Sequence, residues 1–214
     1  MTTFPPELRL QAALSNAWRS IQQQHPDVPD VVLVVGADGR GKLYGHFCGG
    51  IWQRHDGAVS EVLIAGDGLN RPAGEVFGTL LHEAAHARNN AHNIKDTSRQ
   101  GRYHNWWFRK AAEDFGLSVE DDLSNGCAHT DLAIGTASVY RSQIDRLARN
   151  LDQWRTAKPK RNRTQARATG WLKATCPCGR IIRLSLVSFD LGSITCGLCK
   201  GSFQIGDGLD PADL

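Results

Sequence analysis

The sequence predicts an α+β fold in which one main domain is followed by a small cysteine-containing module, and three features predict it. Apolar residues recur at helical spacing near the start and again around residues 72–91. Short β-branched runs bracketed by glycine lie between those two helices. Four of the six cysteines fall in two close pairs near the end of the chain.

Taken in order, Pro5 to Gln24 reads as an amphipathic helix through Leu8, Leu10, Ala13, Leu14, Ala17, Trp18 and Ile21, ended by His25, Pro26 and Pro29. Val31 to Val35 is a strand stopped by Gly36-Ala37-Asp38-Gly39. Lys42 to Phe47, Trp52 and Val59 to Ala65 continue a small sheet, expected to be antiparallel. Pro72 to Ala91 returns to a helical pattern, with proline tolerated in the first turn. A second helix is expected from Tyr103 to Phe115, stopped by Gly116, and a third from Thr136 to Trp154. These elements make residues 1–154 the main domain. Residues 155–170 carry Pro, Gly and many cations without an apolar period and read as a linker, and 171–214 form the module.

With 214 residues and 41% hydrophobic content the chain can bury one good core. The opening MTTFPPELRLQ lacks the apolar run of a secretory signal, and Val31 to Val35, the longest apolar run, is too short to span a bilayer. A cytoplasmic protein with no membrane partner is the expectation, and a reducing compartment suits six unpaired cysteines. Cys48 and Cys127, outside the pairs, read as small buried hydrophobes.

The chemistry concentrates in His82-Glu83-Ala84-Ala85-His86. Residues four apart on a helix share a face, so two imidazoles can converge on one zinc ion. Glu83 sits about 100° round from His82, beside the metal without being a ligand, where it can act as general base for peptide hydrolysis. Val76, Phe77, Leu80 and Ala84 can anchor the same helix in the core. The preceding strand, Val59 to Ala65, offers an edge for an extended substrate. Three fixed residues recur by chance, and a surface helix with two solvated histidines is the plain alternative.

A catalytic zinc takes a third protein ligand, and two histidines compete for the role. His92 completes the longer metzincin spacing with Asn89 in place of glycine, but that class needs a later methionine turn and Met1 is the only methionine. His104 is favoured. On the expected helix Phe108, Ala111, Ala112 and Phe115 fall within about 80° of it, while Glu113 lies roughly opposite and should face water. Tyr103 and His129 are polar groups able to stabilise an oxyanion, with structural roles the plainer reading. Trp106 and Trp107 offer base-stacking surface, against which core packing is the expectation, for Trp107 above all.

The stretch Leu80 to Leu117, LLHEAAHARNNAHNIKDTSRQGRYHNWWFRKAAEDFGL, resembles the SprT-like (Spartan-related) zinc metallopeptidases. The resemblance extends from the N-terminal helix to about Leu132. It implies a zincin-like fold and a third zinc histidine on the helix after the motif, the position of His104. It also implies a C-terminal zinc ribbon and substrates that are DNA-bound or DNA-crosslinked proteins.

Cys176-Pro177-Cys178 and Cys196-Gly197-Leu198-Cys199 look like two knuckles of such a ribbon, with Ile181 to Val187 and Gly201 to Ile205 as its strands. Four thiolates can hold a structural zinc that replaces the core so short a module lacks, although the first pair is one residue tighter than usual. From Arg155 to Arg183 nine cations occur without an acidic residue. Lys158, Lys160, Arg161, Arg163 and Arg167 are the candidate contacts to nucleic-acid phosphates, against the alternative of a solvated linker. The leading expectation is a zinc endopeptidase acting on nucleic-acid-associated proteins. Two rivals stand beside it: a peptidase that cuts one specific partner without nucleic acid, and a catalytically silent, zinc-stabilised nucleic-acid-binding protein.

Overall fold

A computed structural model describes residues 5–37, 43–156 and 172–205, and the chain divides into two compact units, Met1–Ala157 and Lys158–Leu214. In the first unit, α1 (Pro6–Gln24) buries Leu10, Ala13, Leu14, Ala17, Trp18 and Ile21, the i, i+3, i+4 stripe expected of it. Leu8 leaves the stripe and is exposed. Beyond Pro29, whose carbonyl accepts from Trp18 Nε1, the chain enters β1 (Val31–Gly36).

β2 (Gly45–Arg54) and β3 (Gly57–Ala65) form a hairpin, and the sheet order is β1-β3-β2. β1 runs parallel to β3 and β2 antiparallel to it, so the sheet is mixed where an antiparallel one was expected. Burial explains the order. Val62, Ile64 and Ala65 are fully buried, which places β3 in the centre, whereas the second half of β2 is exposed throughout. β1 and β2 are therefore the edge strands of this sheet, of which β2 is the more exposed, and the expected edge at Val59 to Ala65 is its centre.

α2 (Ala73–Ala91) crosses this sheet and buries Val76, Phe77, Leu80, Leu81, Ala84 and Ala85. It ends in a turn in which Asn93 takes a left-handed conformation (φ 57°) and Ile94 N donates to Asn89 O. That turn folds the following residues back toward the helix.

A second, four-stranded sheet then forms, with order β4-β5-β7-β6 from β4 (Thr97–Ser98), β5 (Tyr103–His104), β6 (Leu117–Asp122) and β7 (Gly126–Leu132). The helix expected from Tyr103 begins later, as α3 (Trp106–Asp114), because the Asn105 side chain accepts from Trp107 N and Phe108 N and caps it. His104 consequently belongs to β5. Gly126 carries φ 66° at the β6–β7 turn and lies against His104 O, where any side chain would collide. The third expected helix is two shorter ones, α4 (Ile134–Val139) and α5 (Arg141–Ala148), broken at Tyr140, whose buried ring packs on Phe77 with centroids 4.7 Å apart.

The second unit contains β8 (Leu172–Thr175), β9 (Ile181–Leu184), α6 (Leu186–Asp190) and β10 (Gln204–Ile205), in an antiparallel sheet of order β10-β8-β9. Ser185 caps α6 through its Oγ, so the strand expected to reach Val187 stops at Leu184. The last strand is confined to two residues of the expected Gly201 to Ile205. Ala174, Cys176, Leu184, Cys196 and Phe203 form its small core. Among the described residues no helix is long and apolar enough to cross a membrane.

Candidate metal centre

His82 and His86 leave α2 one turn apart, and β5 brings His104 to them, so that one nitrogen from each ring lies within 4.8 Å of the others. His86 Nε2 and His104 Nε2 are 3.0 Å apart. Two nitrogens on one tetrahedral zinc ion, each about 2.05 Å from it, are about 3.4 Å apart, so this spacing suits a shared ion. Phe108, from the first turn of α3, sits beneath the cluster with its ring centroid 4.6, 4.5 and 4.5 Å from those of His82, His86 and His104. An apolar floor of this kind fixes the imidazole planes and keeps water from that side.

The outer nitrogens are held as well. His86 Nδ1 lies 2.8 Å from Asp96 Oδ2, to which Asn89 Nδ2 also donates at 3.1 Å. A carboxylate only accepts, so His86 carries its proton on Nδ1 and turns the Nε2 lone pair to the cluster. His82 Nδ1 lies 3.0 Å from Thr130 Oγ1 on β7. Asp96 is tied in turn to the segment that carries His104, since its carbonyl accepts from Asn105 N at 2.9 Å. Burial, followed by the neighbouring imidazoles, pushes His82 well below the usual histidine range. Burial and then His86 push His104 down to about 4. Both rings are therefore neutral near pH 7 and offer a lone pair to a metal.

Glu83 is 3% exposed, and burial lifts its carboxyl to about 7. Its Oε1 lies against Gly45 of β2, where a Cβ would stand 2.9 Å away. Glu83 Oε2 and His104 Nδ1 are buried without a hydrogen-bond partner among the described residues. Buried polar groups left unpaired are costly, and a cation held at the three nitrogens would stabilise the carboxylate beside it. The three histidines are positioned to hold a metal ion, and the donor set fits one. The cluster opens on a cleft of about 530 Å³ whose walls include Gly45, His46, Phe47 and Gly49 of β2.

The other candidates fall elsewhere. His92 is exposed at the end of α2 and pairs with Asp27 at 3.5 Å, away from the cluster. Glu113 faces solvent and accepts from Arg109, as expected. Tyr103 packs against Gly126 with Arg99 over its ring, and His129 is exposed one residue from Thr130, on the opposite face of β7; neither lines the cleft. Trp106 and Trp107 are 63% and 52% exposed, so Trp107 is not the core residue expected. The late start of α3 turns its first residues outward, leaving Phe108 as the inward aromatic. Cys127 is buried, with its thiol 3.2 Å from Asp121 Oδ1, while Cys48 is only half-buried.

Sequence reasoning missed Asp96, Asn89, Thr130 and Gly45. Asp96 carried a signal: it is the first acidic residue after the histidine motif, and a metal-bound histidine commonly donates to a carboxylate.

In the second unit the sulfurs of Cys176, Cys178, Cys196 and Cys199 also lie within 4.8 Å of one another, all four as free thiols. The tighter first pair does reach the group, with its sulfurs 3.0 Å apart. Gly201 gives the knuckles room, since a Cβ there would be 2.8 Å from the Pro177 ring. Backbone N–H groups of Cys199 and Leu198 draw the Cys196 thiol down to about 6, toward the thiolate that metals bind. These four residues are positioned to hold a second ion. Lys158, Lys160, Arg161, Arg163 and Arg167 lie outside the described residues. Comparison with protein-family models, curated proteins and solved structures returned no match.

Proposed function

We propose that the chain is a zinc-dependent endopeptidase of SprT-like type with a zincin-like first unit, acting on proteins associated with nucleic acid. The observation that carries the reading is the pairing of three convergent imidazoles with one buried carboxylate outside that group, Glu83, in a cleft walled by β2. His82, His86 and His104 would hold the zinc, which supplies a Lewis acid for the scissile carbonyl and lowers the pKa of water.

The remaining work falls to the chain. Glu83 is a buried carboxyl that a cation at the three nitrogens would hold as the carboxylate, able to take a proton from attacking water and pass it to the leaving amine. Asp96 and Thr130 hold the His86 and His82 rings in place, and Phe108 excludes water from beneath. β2 is unpaired on its outer side among the described residues, so an extended substrate can add to it by main-chain hydrogen bonds.

Cys176, Cys178, Cys196 and Cys199 would hold a structural zinc in a ribbon-like module. Its exposed Lys173 and Arg183 face each other across β8 and β9, with Asp190 the single acidic residue among the described residues of that unit. Together with the basic segment before it, this supports attraction to phosphates. The choice of DNA-bound or crosslinked substrates rests on the sequence resemblance.

Metal analysis combined with cleavage assays tests the whole reading. Two zinc ions per chain, falling to one when residues after Lys160 are removed, are expected, with cleavage of several unrelated DNA-binding proteins only when DNA is added. A single ion in both forms would remove the ribbon, DNA-independent cutting of one partner would remove the nucleic-acid role, and zinc-loaded protein inert on all substrates would remove the peptidase.

A further inference from the structure

Asn90 follows His82 and His86 at the same four-residue interval, so all three side chains leave one face of α2. It lines the cleft and is exposed, and its side-chain amide hydrogen-bonds to no described residue. Directly against it is Gly49 of β2, where a Cβ would stand 3.0 Å from Asn90 Nδ2 and 3.2 Å from Oδ1. A glycine at this point is what lets the amide lie close to the strand.

Gly49 also begins the stretch in which β2 loses register with β3, between Cys48 and Trp52. An amide without a hydrogen bond among the described residues is thus held beside a strand that walls the cleft. The side chain of asparagine carries the same donor and acceptor as a peptide unit, so it can complement both polar groups of a passing main chain.

Four helical residues separate His86 from Asn90, a rise of about 6 Å. An extended chain advances about 3.3 Å per residue, so Asn90 lies about two substrate residues beyond His86. β2 runs from Gly45, beside Glu83, to Gly49, beside Asn90. A polypeptide pairing antiparallel with it, the slightly more stable arrangement, passes Asn90 before it reaches Glu83.

We propose that Asn90 binds the main chain of an extended polypeptide lying along the edge of β2, a few residues to the N-terminal side of the scissile bond. The position of that bond rests on the peptidase reading, and the contact itself does not. Recognition at this point reads no side chain, so it tolerates any sequence but demands a segment free of its own secondary structure. Tails, loops and unfolded regions fit the cleft, and helices do not.

The test is binding of a fluorescein-labelled, unstructured octapeptide to the full-length, zinc-loaded Glu83→Gln protein, which separates affinity from turnover. Asn90→Ala should weaken binding about tenfold, the loss of about one hydrogen bond's net contribution. Gly49→Ala, which pushes the amide from the strand, should do the same. Metal content equal to the parent's reports that both variants are folded. A scan in which each peptide amide in turn is N-methylated should find one position whose methylation costs as much as Asn90→Ala, with no further loss when the two are combined. An octapeptide that does not bind, an Asn90→Ala protein that binds as the parent does, or additive losses at every position would overturn the contact. A complete binding pattern with no hydrolysis of the same peptide by the Glu83-containing chain would overturn the peptidase reading and leave the Asn90 contact standing.

Discussion

Asp96 Oδ2 accepts a 2.8 Å hydrogen bond from Nδ1 of His86, and both groups are buried. The same carboxylate accepts from Asn89, and the Asp96 carbonyl accepts from the backbone of Asn105, next to His104. One residue therefore links α2, which carries His82 and His86, to the strand that carries His104. Asp96→Ala should lower the affinity of the first metal site about 10- to 100-fold, the usual cost of losing such a partner. It should leave the four-cysteine site loaded. Competition against a chromophoric chelator reads both, and an unchanged first-site affinity would make Asp96 a packing residue only.

Glu83 lies outside the group of side chains positioned to hold the first metal, so Glu83→Gln should retain metal and fold while removing the proposed base. The expected loss in peptide hydrolysis is about 10²- to 10⁴-fold. Activity within a few-fold of the parent, at equal metal content, would show that another group moves the proton.

His104 and His92 give opposite expectations because one sits in the cluster and the other on the surface. His104→Ala should lose first-site metal and activity together, since two histidines leave half of the coordination sphere to solvent. His92→Ala gives up only an exposed pair with Asp27, which contributes at most about 1 kcal/mol, and should be close to silent. The reverse pattern would contradict the geometry of the cluster.

The helical motif at 82–86 was legible because its two histidines are local: a four-residue interval fixes their relation before any tertiary contact forms. His104 was legible as a residue but not in its setting. The inward pattern of Phe108, Ala111, Ala112 and Phe115 belongs to a helix that starts at Trp106, and the Asn105 cap that sets this start was available in the sequence. The β6–β7 hairpin was missed although Asn125-Gly126 is a strong turn signal, because its strands alternate weakly around Glu120-Asp121-Asp122. The central place of β3 and the edge position of β2 depend on which strands meet in space, and that relation is non-local. Thr130 reaches His82 across 48 residues for the same reason.

The metal-free first unit should lose stability on acidification, and Glu83 should be found opposing that loss. His82 and His104 have folded-state values well below the ordinary value of about 6.5. As the pH falls below 6.5 the unfolded chain takes up these two protons, whereas folded His104 takes up its own only at about 4 and His82 is held well below its ordinary value by burial, so their contribution is lost as the pH falls below 6.5. Glu83 works in the other direction: its raised value means that the folded state keeps a proton up to about 7, and its contribution is lost as the pH rises from about 4.5 to 7. Near pH 5.5 these three groups leave the unfolded state with two protons and the folded state with one, which gives stability a rise of about 1.4 kcal/mol per pH unit. Glu83→Gln removes the opposing proton and should steepen the slope to about 2.7 kcal/mol per pH unit. Other titrating groups are common to both proteins and cancel in the difference. Chemical denaturation of chelator-treated parent and variant between pH 5 and 6.5 measures it. Parallel pH profiles would mean that the Glu83 carboxyl is already ionised in the folded, metal-free protein, and that its burial does not set its charge.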